Sequence, residues 1–183
     1  MSNNIFIIVD FEYINSKDFC EILHISGLKI IKKKKLEIIE QFTHFIKPVY
    51  NQILPKEFIE RTGITTEILN IVGIGFNSFV LNFNNFCRNN NIITYFNQYN
   101  ILFENFKYHK ILNLLPLRSK IKSLKEIIEK EYENKDISEY NSSNIYNFFD
   151  IKIEQDYKIT TRWNTISIYL TLNYLLENRN INF

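Results

Sequence analysis

Asp10 and Glu12 are the first residues whose types and spacing could do chemistry. They close an apolar run, Ile5-Phe6-Ile7-Ile8-Val9, and stand two apart. Side chains on a strand alternate faces, so positions 10 and 12 point the same way. Two carboxylates leaving a buried strand together repel each other and lose hydration unless something neutralises them. A divalent cation is the usual remedy. The plainer alternative is a strand that ends at Asp10, with both groups in water.

The remaining reactive side chains are sparse. Cys20 and Cys87 are far apart in apolar surroundings and have no zinc-ligand spacing, which predicts buried free thiols in a reducing compartment. Lys32-Lys33-Lys34-Lys35 reads as a solvated hairpin tip that discourages edge pairing, with phosphate binding as the functional alternative. Lys and Arg number 22 against 20 Asp and Glu, a net charge of +2. Any nucleic-acid contact must therefore be a local patch and not a global field. No apolar run approaches the roughly 18 to 20 residues of a membrane span, and no signal-peptide layout opens the chain. The expectation is a soluble, intracellular protein with no membrane partner.

The elements that must position these residues follow from periodicity. At 183 residues and 45% hydrophobic, the chain predicts one well-cored domain over 1–183. Strands are expected at 4–10, 20–31 and 36–47, in a meander. A short helix over 55–61 opens at Pro55 and stops at Thr62-Gly63, and Thr65 or Thr66 caps the next turn. Residues 76–89 carry Phe76, Phe79, Val80, Phe83, Phe86 and Cys87 on one helical stripe, which is core. Residues 91–96 read as a strand buried on both faces. Helices are then expected over 99–109, 121–133, 143–149 and 162–178.

The order of these pieces resembles the DEDDh 3′–5′ exonucleases of the ribonuclease-H-like fold, and within them the ERI-like and sporulation-inhibitor-type branch. Four stretches carry the resemblance: Asp10-Phe11-Glu12, Glu21-Ile22-Leu23-His24-Ile25, Phe42-Thr43-His44-Phe45-Ile46-Lys47-Pro48, and Phe58-Ile59-Glu60-Arg61-Thr62-Gly63-Ile64-Thr65. The resemblance implies an α/β fold: a mixed sheet with a three-strand antiparallel meander plus parallel strands, flanked by helices. It also implies two Mg2+ or Mn2+ ions held by four acidic residues, with a histidine as general base.

Asp10 and Glu12 match the first two acids. At the third, Asn100 falls where aspartate is expected, and an amide oxygen is a poorer magnesium ligand than a carboxylate. In the last motif Arg162 stands for the histidine and Ser167 for the aspartate. Arginine cannot act as a base near neutral pH, and serine supplies no charge. Glu104 and Asp156 are the candidate substitute ligands; Asp150 and His109 lie farther from the motifs.

Three functions follow from these residues. The first is a degenerate exonuclease, catalytically impaired or inactive, that keeps a binding cleft. Its ligand would be single-stranded nucleic acid, RNA before DNA, stacked on Tyr13, Phe96, Tyr99 and Trp163 and paired with Arg162, Lys152 and Lys158. The second is an active metal-dependent exonuclease with Glu104 or Asp156 recruited. The third is a protein-interaction module on the same scaffold.

Overall fold

The computed structural model of the chain describes residues 5–16, 19–133, 135–153 and 161–179. β1 (Ile5–Asn15), β2 (Cys20–Lys32) and β3 (Leu36–Phe45) form the antiparallel meander. β4 (Asn91–Thr94) and β5 (Ile121–Ser123) add to β1 in parallel, for a five-stranded sheet of order β3-β2-β1-β4-β5. The fold is α/β with a mixed sheet and helices on both faces, as the sequence led one to expect.

Period-two alternation along β1 sorts its side chains between the two faces. Ile7, Val9 and Phe11 pack with α3 (Phe76–Cys87) and α4 (Tyr99–Tyr108) through Phe79, Val80, Phe83, Leu102 and Phe106. Phe6 and Ile8 face the opposite layer, where α5 (Leu124–Glu131) and α6 (Thr161–Arg179) supply Leu124, Ile128, Ile168, Leu172 and Leu175. Asp10 belongs by the same parity to the α6 side.

Two boundaries differ from expectation in ways that matter for function. The first strand does not stop at residue 10: β2 is long enough to pair with it to the end, with Tyr13 opposite Ile22 and Asn15 opposite Cys20. Asp10 and Glu12 therefore stand mid-strand, opposite Ser26 and His24, and not at a solvated end. The register shifts between Glu12 and Tyr13, the kind of irregularity that re-aims a side chain. Likewise, residues 121–123 are not helical. Ile121 to Ser123 pair with Ile92 to Thr94, and the helix starts at Leu124, where the Ser123 hydroxyl accepts the Glu126 N–H at 3.2 Å.

The short helices α1 (Lys56–Thr62) and α2 (Thr66–Val72) are joined at Gly63, whose φ of 70° needs a glycine. The Thr65 hydroxyl accepts the Ile68 N–H and caps α2. A further tether is Glu21, buried on β2, whose carboxylate accepts the backbone N–H groups of Val49, Tyr50 and Asn51. Among the described residues no helix is long and apolar enough to cross a membrane.

Candidate active-site cleft

A cavity of about 240 Å³ opens where β1 meets the start of α4 and the first turns of α6. Asp10, Phe11, Glu12 and Tyr13 line it from β1, Arg61 from α1, Phe96 and Gln98 from the segment after β4, and Asn164 from α6. Asp10 and Glu12 are buried, at 4% and 7% exposure, although both are acids. Such burial is tolerated only when the charges are partnered or lost.

Both outcomes occur. The Asn164 Nδ2 donates to Oδ2 of Asp10 at 2.8 Å, and the Gln98 side chain hydrogen-bonds the same carboxyl. Burial still dominates and pushes the Asp10 carboxyl up to about 7, while Glu12 beside it adds to the rise. Glu12 takes the other solution. The Arg61 Nη1 donates to its Oε2 at 2.6 Å, with the guanidinium resting 5.5 Å over the Phe58 ring. Opposite Glu12 on β2, His24 bonds Thr43 and stacks on Phe45; burial lowers its imidazole to about 4, so it is neutral at pH 7.

Among the described residues, the donor set does not fit a pair of divalent ions. Two ions bring four positive charges against two carboxylates, one of them committed to Arg61 and the other hydrogen-bonded to amides. The two further groups at Asp10 are neutral amides. Among the described residues no three His, Cys, Asp or Glu side chains gather to hold a metal. The carbonyl oxygens of Gln98 and Asn164 are buried with no hydrogen-bond partner, as is Ser167 Oγ. Two unpaired amide oxygens can take water or a donor group, but they add no charge.

Several sequence-predicted residues occupy other places. Asn100 is exposed and outside the cleft lining; Gln98, two residues earlier and just before α4, is the group beside Asp10. Ser167 is fully buried one turn deeper in α6, so Asn164 is the α6 residue that reaches the carboxylate. Glu104 is exposed on α4 and absent from the lining. Trp163 is buried, its indole N–H donating to the Ser143 carbonyl at 2.9 Å and its ring against Tyr146, which removes it from the stacking set. Tyr99 lies under the Arg118 guanidinium outside the cavity, whereas Tyr13 and Phe96 line it. Lys152 is exposed. Asp156, Lys158 and the Arg162 side chain lie outside the described residues. Arg61, Gln98 and Asn164 carry no mark in the linear motif; their only signal is a polar side chain just before, or in the first turn of, a helix abutting the sheet, or a cation next to the Thr62-Gly63 cap.

No family model matches the chain, and no curated protein matches its sequence. Solved structures do. Cell-death related nuclease 4 (CRN-4) superposes with a TM-score of 0.74 at 17% identity, over 96% of this chain and 64% of that one. The nuclease domain of 3'hExo, a DEDDh family member bound to rAMP, gives 0.69 at 14% identity, over 97% and 94%. The chain shares the fold of these nucleases. E. coli exonuclease I in complex with a 5cy-dT13 oligonucleotide shares the fold too, with a TM-score of 0.71 and 11% identity over 98% of this chain. This chain spans 41% of exonuclease I. Among the described residues, the cleft holds two acids and two amides.

Proposed function

We propose that this chain is a catalytically silent member of the exonuclease fold, whose Asp10 cleft binds single-stranded nucleic acid without metal ions. The observation that carries the proposal is the commitment of both cleft carboxylates to protein partners: Asp10 to Asn164 and Gln98, Glu12 to Arg61. A phosphodiester hydrolase of the two-metal type needs those oxygens for its ions. Substrate binding asks for less. Phe96 is 46% exposed at the rim with the Lys125 ammonium 5.5 Å over its ring, and Tyr13 and Arg61 share the cavity. Aromatic faces next to cations suit stacked bases and their phosphates. An oligonucleotide in E. coli exonuclease I and rAMP in 3'hExo are ligands of the same fold.

The test is fluorescence anisotropy with 5′-labelled single-stranded RNA and DNA in EDTA, followed by gel analysis after long incubation with Mg2+ or Mn2+. Salt-dependent binding with the RNA left at full length is the expected result. Shortening from the 3′ end that Asp10→Ala abolishes would overturn the silent assignment and make Mg2+ or Mn2+ a working cofactor. Absence of binding to either nucleic acid would overturn the ligand class, leaving a protein partner for the scaffold.

A further inference from the structure

A second cavity, of about 360 Å³, opens at the other end of β4. The start of β4 adjoins this cavity, with Ile92 in its lining, and the chain leads on from β4 to Phe96 and Gln98 in the cleft. One wall is the end of α3, with Asn84 and Arg88; the facing wall is the 114–117 segment with Lys120 beyond it. The Asn84 Nδ2 donates to the Leu114 carbonyl at 2.9 Å and braces the two walls together. Two cations line the cavity, and among the described residues no carboxylate does. Among the described residues neither Arg88 nor Lys120 has an ion-pair partner, whereas Lys29, Lys33, Lys35, Lys56 and Lys125 all do.

Arg88 is also held in a costly shape. Its φ of 47° and ψ of −132° place it near the first central position of a II′ turn, closed by the Asn90 N–H on the Cys87 carbonyl at 3.1 Å. Glycine is the residue that accepts this conformation without strain, and Arg88 puts a cation there. Two more cations rest on aromatic rings at or next to cleft residues. The Arg118 guanidinium is 5.5 Å over Tyr99, which follows Gln98 directly, and the Lys125 ammonium is over Phe96. Cations held on aromatic rings suit the phosphates and bases of a single strand.

We propose that the Arg88–Lys120 cavity is a second phosphate site, which takes an internucleotide phosphate of a strand whose end lies in the Asp10 cleft. The proposal rests on the cleft's being a nucleic-acid site. It adds a footprint longer than the cleft and assigns its far anchor.

The experiment compares 5′-labelled single-stranded RNAs of three and twelve residues on the full chain in EDTA, across a salt series. Arg88→Gly and Lys120→Gln are made singly and together; glycine suits the backbone at 88, so the first variant endangers no fold. The double variant should bind the twelve-mer about tenfold more weakly, with its log–log salt slope shallower by about 1.4, or about 0.7 for each lost contact. Its affinity for the three-mer should match that of wild type. Equal twelve-mer binding by wild type and double variant would overturn the second site while leaving the cleft assignment intact. Failure of wild type to bind either RNA would overturn the cleft assignment itself. Inorganic phosphate or AMP that binds wild type but not the double variant, with twelve-mer affinity unchanged, would show a site for a free phosphate and overturn the strand.

Discussion

Asn164 on α6 donates its side-chain amide to Asp10 on β1 at 2.8 Å, across 154 positions of sequence. The bond ties the first turns of α6 to the middle of β1 and gives the buried carboxylate a neutral partner.

Asn164→Asp should replace that hydrogen bond with a third carboxylate. Three acids would then crowd the cleft, destabilising the protein by about 1–3 kcal/mol at pH 8. Millimolar Mn2+ should recover the loss, because an ion that binds the folded state stabilises it by mass action. Thermal unfolding with and without Mn2+ reads both effects. Wild type should shift little on the same addition.

The Asp10 carboxyl, raised from 3.8 to about 7 by burial, makes folding depend on pH with a definite sign. Between those values the folded protein holds a proton that the unfolded chain has released. The stabilisation is complete below 3.8 and is lost as pH rises through about 7. His24, lowered from 6.5 to about 4, works the other way: its contribution is present above 6.5 and is lost as pH falls through 4. The two slopes oppose each other in wild type. Asp10→Asn removes the first, so its stability in urea should rise from pH 4 to 6.5, and its advantage over wild type should grow to roughly 2–4 kcal/mol by pH 8.

Arg61 and Glu12 form a half-open pair, the arginine side chain being 56% exposed and the glutamate 9%. Arg61→Ala leaves a buried carboxylate without its cation, and Glu12→Gln leaves only a solvated arginine. Discounted for solvent on the arginine side, a double-mutant cycle should give a coupling of about 1 kcal/mol. Arg61→Ala should be the more damaging single change, and Glu12→Gln should rescue it.

Arg88→Gly relieves a backbone conformation that a side chain resists. The variant should be more stable than wild type by about 1 kcal/mol, a rise of roughly 2–4 °C in Tm for a chain of this size. Calorimetry at neutral pH checks it. A fall in Tm would mean that Arg88 contributes more through its contacts than its φ costs.

The apolar stripes were legible because their spacing is local. The alternation in β1, the phenylalanines of α3 and the apolar positions of α5 and α6 each need only one element to be seen. Ser123 was harder: a three-residue strand has too few positions for a period, and only β4 beside it makes it a strand. At the cleft, Asp10 and Glu12 stood out as two acids at strand spacing. Gln98 and Asn164 as the amides beside Asp10 did not stand out, since Asn100 and Ser167 lie within three residues of them in the sequence.

The sequence alone determined the fold class, the meander and the presence of two carboxylates on one strand face, because these depend on residue type and local period. The tertiary structure decided what those carboxylates are. Pairing of β1 with β2 as far as Asn15 buried them mid-strand, and the packing of α6 brought Asn164 to one. The approach of α1 brought Arg61 to the other. Charge state and partner depend on burial and on groups distant in sequence, and only the assembled chain brings those together.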